Sequence, residues 1–114
     1  RSGKPDGKDR WTDRDGVGPI GATHLDNPPR TRSQIAPVYP YEARIAGIPG
    51  EVLVEFIVDE SGRVLDPHVV RSNDPAFEAP TWRAIAKWRF EPGRKAGRIV
   101  RFRMAVPVAF SINP

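Results

Sequence analysis

The chain contains no cysteine. Disulfides, thiolate zinc sites and cysteine nucleophiles are excluded together. The redox compartment stays open, because many exported domains also lack cysteine. No apolar run approaches the ~20 residues that a helix needs to span a bilayer. Histidine is scarce: His24 and His68 stand far apart, and without cysteine a metal would need carboxylates beside both. No metal or other cofactor is expected. Ser61 and Ser72 fall at a turn and a cap, where serine has structural reasons to be. No glycine-rich phosphate cradle occurs. Glu42, Glu55 and Asp59 fall at surface positions of the pattern. With no catalytic constellation, the expectation is a protein that is not an enzyme.

What is present is a basic, proline-rich chain of 114 residues with thirteen prolines and a net charge of +4. That length suits one domain with a modest core. The chain starts at Arg1 without Met or signal peptide, and is read as a fragment whose anchor or export signal lies upstream. The positive charge gathers late. Arg83, Lys87, Arg89, Arg94, Lys95, Arg98, Arg101 and Arg103 face Glu91 alone in that stretch. A basic balance points to nucleic acid, an anionic membrane or an acidic protein partner.

Residues 1–32 are rich in Gly, Asp, Arg, Lys and Pro and have almost no apolar periodicity. They predict a flexible linker with Trp11 as a loose tail residue. Within it, 17–25 can add a short peripheral strand. Residues 33–114 form the domain. Pro40 suits the first turn of a short helix over 41–46 that Gly47 stops.

The central strand follows. Val52, Val54, Phe56 and Val58 fall on one face of 50–59, and Glu51, Leu53, Glu55, Ile57 and Asp59 on the other. Asp59-Glu60-Ser61-Gly62 suits a type I turn in a hairpin. The returning strand, 63–71, needs a bulge near Leu65-Asp66, because Val64 has the wrong parity to share a face with Val69. Pro67 makes it an edge strand. Ser72-Asn73-Asp74 caps a helix with Pro75 at its first position. Phe77, Thr81, Ala84, Ile85 and Trp88 keep helical spacing, Pro80 delays the regular part, and Glu91-Pro92-Gly93 ends it. Trp88 is expected in the core and Trp82 partly exposed. A basic loop leads to a strand over 100–112. There Val100, Phe102, Met104, Val106, Val108 and Phe110 share one face, while Arg101, Arg103, Ala105, Pro107, Ala109 and Ser111 share the other.

Two strands hold proline and one does not, so the proline-free strand belongs in the middle. The fold class is α+β: a three-stranded antiparallel sheet ordered hairpin strand, central strand, C-terminal strand. Two helices cover the Val/Val/Phe/Val face in a split βαβ unit. The C-terminal strand keeps one edge unpaired.

Pro37-Val38-Tyr39-Pro40, Ala43, Gly47, Gly50, Val58-Asp59 and Ser61-Gly62-Arg63-Val64 resemble the TonB C-terminal domain family. So do Val69-Val70-Arg71-Ser72, Phe77-Glu78 and Trp88-Arg89-Phe90-Glu91-Pro92-Gly93. The order and spacing of these pieces over about 35–112 carry the likeness. The resemblance implies a periplasmic energy-transducing adaptor, anchored in the inner membrane by a segment outside this chain and driven there by the ExbB–ExbD proton motor. It implies that the domain binds the N-terminal box peptide of a TonB-dependent outer-membrane transporter by strand addition. Transferred to this chain, the box-binding residues are Val100, Arg101, Phe102, Arg103, Met104, Ala105 and Val106, with Tyr39 and Pro40 from the Tyr-Pro motif. Pro107 departs from the pattern and removes one donor, so the grip is expected to be either shortened or displaced toward Arg101 to Met104.

Three other readings stand beside this one. An RNA-binding sheet presents aromatics on its open face. Here that face is acidic and aliphatic, and Arg101 and Arg103 are expected to pair across strands with Glu51 and Glu55. No nucleic-acid partner is therefore expected. The same domain type also occurs in envelope signalling or structural proteins. Exposed strand edges additionally allow a homodimer.

Overall fold

The computed structural model describes residues 19–112. Its centre is a four-stranded sheet. Strand β1 (Ile20–Gly21) lies beside β8 (Phe102–Phe110), β8 beside β3 (Gly50–Val58), and β3 beside β4 (Val64–Ser72). Strands β3, β4 and β8 have the expected order and are antiparallel. The addition is β1, which runs parallel to β8. Around the sheet lie two small ribbons: β2 (Thr31–Ser33) with β5 (Arg89–Phe90), and β6 (Gly93–Lys95) with β7 (Arg98–Val100).

Alternation makes β3 the core strand. Val52, Val54, Phe56 and Val58 are buried, while the residues between them are exposed or half-buried. Phe77, Ile85, Trp88, Phe90, Phe102, Val108 and Phe110 close over that face. Packing is tight at both ends of β3. A Cβ on Gly50 would lie 2.5 Å from the Phe77 ring. Gly62, in the turn after β3, has φ +90 and presses its Cα on the Phe90 carbonyl, so only glycine fits.

That turn is built on Asp59. Its Oδ1 accepts from the Ser61 N–H at 2.9 Å, the Ser61 hydroxyl at 2.7 Å and the Arg63 N–H at 2.9 Å. Partial burial pushes the Asp59 pKa up, but the Arg63 and Ser61 hydrogen bonds and the nearby Arg101 outweigh it, so the pKa lies below its ordinary value.

The bulge in β4 falls where parity requires it. Ile57 pairs with Leu65 and Glu55 with His68, so β4 carries one extra residue there, and Asp66 takes φ 52. A second extra residue follows, because Val54 pairs with Val69 and Leu53 with Arg71. The leftover Val70 is exposed.

Helix α1 (Tyr41–Ala46) buries only Ala43. Pro40 stands one position earlier than expected: its carbonyl accepts the Arg44 N–H, so it is the cap, not the first helical residue. Helix α2 (Glu78–Ala86) follows a 3₁₀ turn, Pro75–Phe77, capped by Asp74 on the Ala76 N–H at 2.9 Å. Pro80 falls in the first turn of α2, where its missing N–H costs nothing. The helix ends at Ala86, before the expected stop. Trp88 and Phe90 have other partners: the Trp88 indole donates to the Ile35 carbonyl at 2.8 Å, and the Phe90 N–H to Gly62. Trp88 is buried and Trp82 exposed, as their positions predict.

The expected linker, 1–32, divides. Residues 1–18, with Trp11, lie outside the described residues. From Pro19 the chain belongs to the folded body. Ile20, Ala22 and Leu25 pack against the core. Asp26 and Asn27 fasten the segment to the β6–β7 ribbon, whose Gly97 and Arg94 N–H groups donate to their side chains at 3.0 Å. The 17–25 strand expectation is met by the two residues of β1.

Candidate functional site: the outer edge of β8

Side-chain burial and backbone direction make β8 two different surfaces. Strand β3 pairs with it residue for residue, from Gly50 opposite Phe110 to Val58 opposite Phe102. On β3, Glu51 turns its backbone toward β4: its N–H meets the Asn73 Oδ1 at 2.7 Å and its carbonyl the Asn73 N–H at 3.1 Å. Backbone direction alternates along a strand, so the even-numbered residues of β3 face β8. Their partners on β8 are even-numbered as well. The N–H and C=O groups of Arg103, Ala105 and Ala109, and the carbonyl of Pro107, therefore point away from the sheet. Pro107 occupies a position where a ladder with β3 loses nothing.

Strand β1 covers the start of this edge, against Phe102 and Arg103. Arg103 holds it there by donating from Nη1 to the Pro19 carbonyl. Among the described residues, no strand lies beyond Arg103, and Ala105, Pro107 and Ala109 are all exposed. The expectation of a fully unpaired edge is thus corrected at its first two residues.

The residues expected to grip a partner separate accordingly. Val100 belongs to β7, and the strand breaks at Arg101. Phe102 is completely buried among Phe90 and its neighbours, so its side chain belongs to the core. Met104 and Val106 pack half-buried against that core. Ala105 alone of the set is exposed and has its backbone aimed outward.

Arg101 and Arg103 do not pair with Glu51 and Glu55. The register sets Ala109 and Ala105 opposite those glutamates. Arg101 instead meets Glu60 at 3.0 Å across the hairpin turn. Hydrogen bonding and charge from Arg101 lower the Glu60 pKa, and the same contact raises that of Arg101. Glu55 meets His68 Nε2 at 3.2 Å.

Tyr39 does structural work at the far end of β8. Its hydroxyl donates to the Ile48 carbonyl at 2.6 Å, and its ring packs edge-on to Phe77 and Phe110, with centroids 5.9 and 5.5 Å away. Pro40 caps α1 beside it. The pair thus lies at the Phe110 end, while Arg101 and Arg103 lie at the other.

One feature of the edge has no counterpart in the sequence patterns. Residues 21–29 curl past the end of β1 and, with Glu55, Arg103, Met104 and Ala105, line an open-sided cavity of about 760 Å³. The segment has no alternation to reveal it. Its only signal is Asp26-Asn27 before two prolines, a side-chain capping pair followed by extended chain.

Comparison with known proteins agrees with this architecture. The family described as "Gram-negative bacterial TonB protein C-terminal" matches residues 35–112. Protein TonB of Escherichia coli K12 is 38% identical over 93 residues, which are 80% of this chain and 36% of that protein. Protein TonB of Pseudomonas aeruginosa is 43% identical over 65 residues, 56% of this chain and 19% of that protein. The chain thus spans about a fifth to a third of the length of these relatives. The solution structure of the Pseudomonas aeruginosa TonB C-terminal domain superposes with a TM-score of 0.66 at 34% identity, covering 78% of this chain and 91% of that one. The TonB2 protein of Vibrio anguillarum gives 0.58 at 28% identity, covering 86% and 92%. The matched residues run from before α1 to the end of β8, and on that ground the chain belongs to the TonB C-terminal family.

Proposed function

We propose that this domain is the gripping end of an energy-transducing adaptor. An extended box peptide from the N-terminus of a TonB-dependent outer-membrane transporter adds to the outer edge of β8. The domain works in the periplasm, in a protein held in the inner membrane by a segment outside this chain. It performs no chemistry of its own and passes on the pull of an ExbB–ExbD motor.

The observation that carries this reading is the edge itself. Ala105, Pro107 and Ala109 present backbone groups outward on an exposed strand whose opposite side is locked to β3. Unpaired strand edges are templates for an added strand. Because β1 lies on Phe102 and Arg103, the grip belongs at 105–109, further along than the family pattern implies. Pro107 withholds one donor but keeps its acceptor. Backbone bonds at ~0.5–1.5 kcal/mol net each, less the ordering of a disordered peptide, give an affinity around micromolar. Backbone pairing tolerates varied box sequences, so one domain serves several transporters.

The test is a proline scan of the box peptide followed by calorimetry. Proline should abolish binding at alternate positions, those whose N–H faces β8, and leave the others nearly unchanged. A flat scan means that side chains alone are recognised, and strand addition is then wrong for this domain.

A further inference from the structure

Strand β1 shows on the chain itself what the β8 edge accepts: an extended segment whose aliphatic Ile20 packs against the core. After Gly21 the chain leaves the edge, because Ala22–His24 turn into a 3₁₀ helix. The cavity opens at that departure. Gly21, Ala22 and Leu25 bound it on one side, and Met104 and Ala105 on the other. Its lining thus takes residues from both faces of β8 and from the place where a longer β1 would have continued. It is continuous with the outward-facing backbone of Ala105.

Most of its surface is apolar: Ala22, Leu25, Pro28, Pro29, Met104 and Ala105 line it. Charge is confined to Asp26, Glu55 and Arg103, and each already has a partner. Asp26 accepts the Gly97 N–H, Glu55 meets His68, and Arg103 donates to Pro19. Bound charges leave little to attract an ion. An apolar group from an arriving strand gains by entering.

We propose that residues 21–29 and β8 form a side-chain pocket for one aliphatic residue of the added strand, the residue that pairs beside Ala105. In this arrangement β1 is the stop that sets register. The peptide cannot slide onto Phe102 and Arg103, so one residue always arrives at the pocket. This rests on the strand-addition reading and adds selectivity to it. Backbone pairing at 105–109 supplies tolerance, and the pocket supplies choice. Eight of its twelve lining residues lie before the 35–112 family match.

The test uses the chain as it stands and a transporter N-terminal peptide from the same genome. Each aliphatic residue of the peptide is replaced in turn by Ala and by Asp. At one position only, Asp should weaken binding by roughly tenfold to a hundredfold, and Ala by roughly tenfold. On the protein side, Thr23 is exposed and lines the cavity, so Thr23→Trp obstructs part of it without entering the core. That variant should bind the parent peptide roughly tenfold more weakly. It should lose little with the Ala peptide. Equal losses at every aliphatic position in the unaltered chain, with an alternating proline scan, overturn the pocket and leave strand addition standing. So does a Thr23→Trp variant that binds all peptides like the parent. A flat proline scan removes both readings.

Discussion

Phe56 and Glu55 are neighbours on β3 with opposite surroundings. Phe56 is fully buried beside Phe90, with ring centroids 5.6 Å apart, while Glu55 sits on the open face with His68. Phe56→Ala should cost ~3–5 kcal/mol through the cavity it leaves. Glu55→Ala should cost under ~1 kcal/mol, the value of a half-exposed pair. Urea melts that rank them the other way would turn the sheet inside out. Asp59 adds a pH dependence. Its folded pKa lies below the ordinary 3.8, so between the two values the unfolded chain binds more protons. Its contribution is complete above the unfolded value and is lost as pH falls through the folded one. The urea midpoint should therefore drop below about pH 4, and by less in Asp59→Asn. Equal slopes for the two proteins would separate the turn from acid sensitivity. The turn was legible in the sequence, since Asp-x-x-Gly states its own geometry. The arginine partners were not. They depend on register, which sets alanine opposite each glutamate and leaves Arg101 to Glu60.

Strands with strict alternation announce themselves, and β3 and β8 did. So did the bulge at Asp66, because a parity error has to be absorbed somewhere. The ribbons and β1 gave no such signal. Two paired residues are too few for a period, and a parallel pair at an edge needs no alternation. The 19–29 segment holds by hydrogen bonds that the Asp26 and Asn27 side chains accept from a ribbon 71 and 67 residues away, a separation no local pattern encodes. Backbone direction on β8 can be tested within the element. Ala109 faces outward as Pro107 does, whereas Val108 faces β3. Ala109→Pro should leave the domain folded and weaken the box peptide by removing an edge donor. Val108→Pro should cost about 1–3 kcal/mol or more by stranding a ladder acceptor on β3. If Ala109→Pro melts the domain while Val108→Pro is tolerated, the assigned parity of β8 is reversed.

At the scale of the whole molecule, charge and mechanics lead to separate expectations. The basic stretch is partly committed: Arg101 to Glu60, Arg103 to Pro19, and Arg89 to the Trp88 carbonyl at 2.8 Å. Nucleic acid should bind weakly, without sequence preference, and lose its hold steeply with salt. Filter binding that survives physiological salt would favour the nucleic-acid reading. A second copy of the chain would use the same β8 edge as the peptide. A homodimer, where it forms, should therefore dissociate as box peptide is added, measurable by light scattering. A dimer untouched by saturating peptide would have to use another surface.

The mechanical expectation follows from where load enters. In the proposed adaptor the pull comes from upstream, so it reaches the described body at Pro19 and meets β1 first. Two residue pairs, the Arg103 contact and the Asp26–Asn27 fastenings hold residues 19–29. The peptide is held by the backbone groups of 105–109, and β8 by nine consecutive pairs with β3. Bonds along a strand pulled parallel to its axis are loaded together, so the longer ladder resists longest. The order of failure should be the 19–29 segment, then the peptide, then the sheet. Freeing eleven residues lengthens the tether by at most ~35–40 Å, which optical tweezers resolve. A tether between the upstream side and a bound peptide should show that short step before rupture. The domain should survive to bind again, because β3 and β8 remain paired. Loss of the 19–29 segment also dismantles the proposed pocket, so peptides with a large aliphatic residue there should release soon after the step. Before the step they should outlast peptides with alanine there, and after it the two should release alike. A single rupture without an early step would mean that 19–29 bears load as firmly as the sheet and that grip and pull are not linked through it.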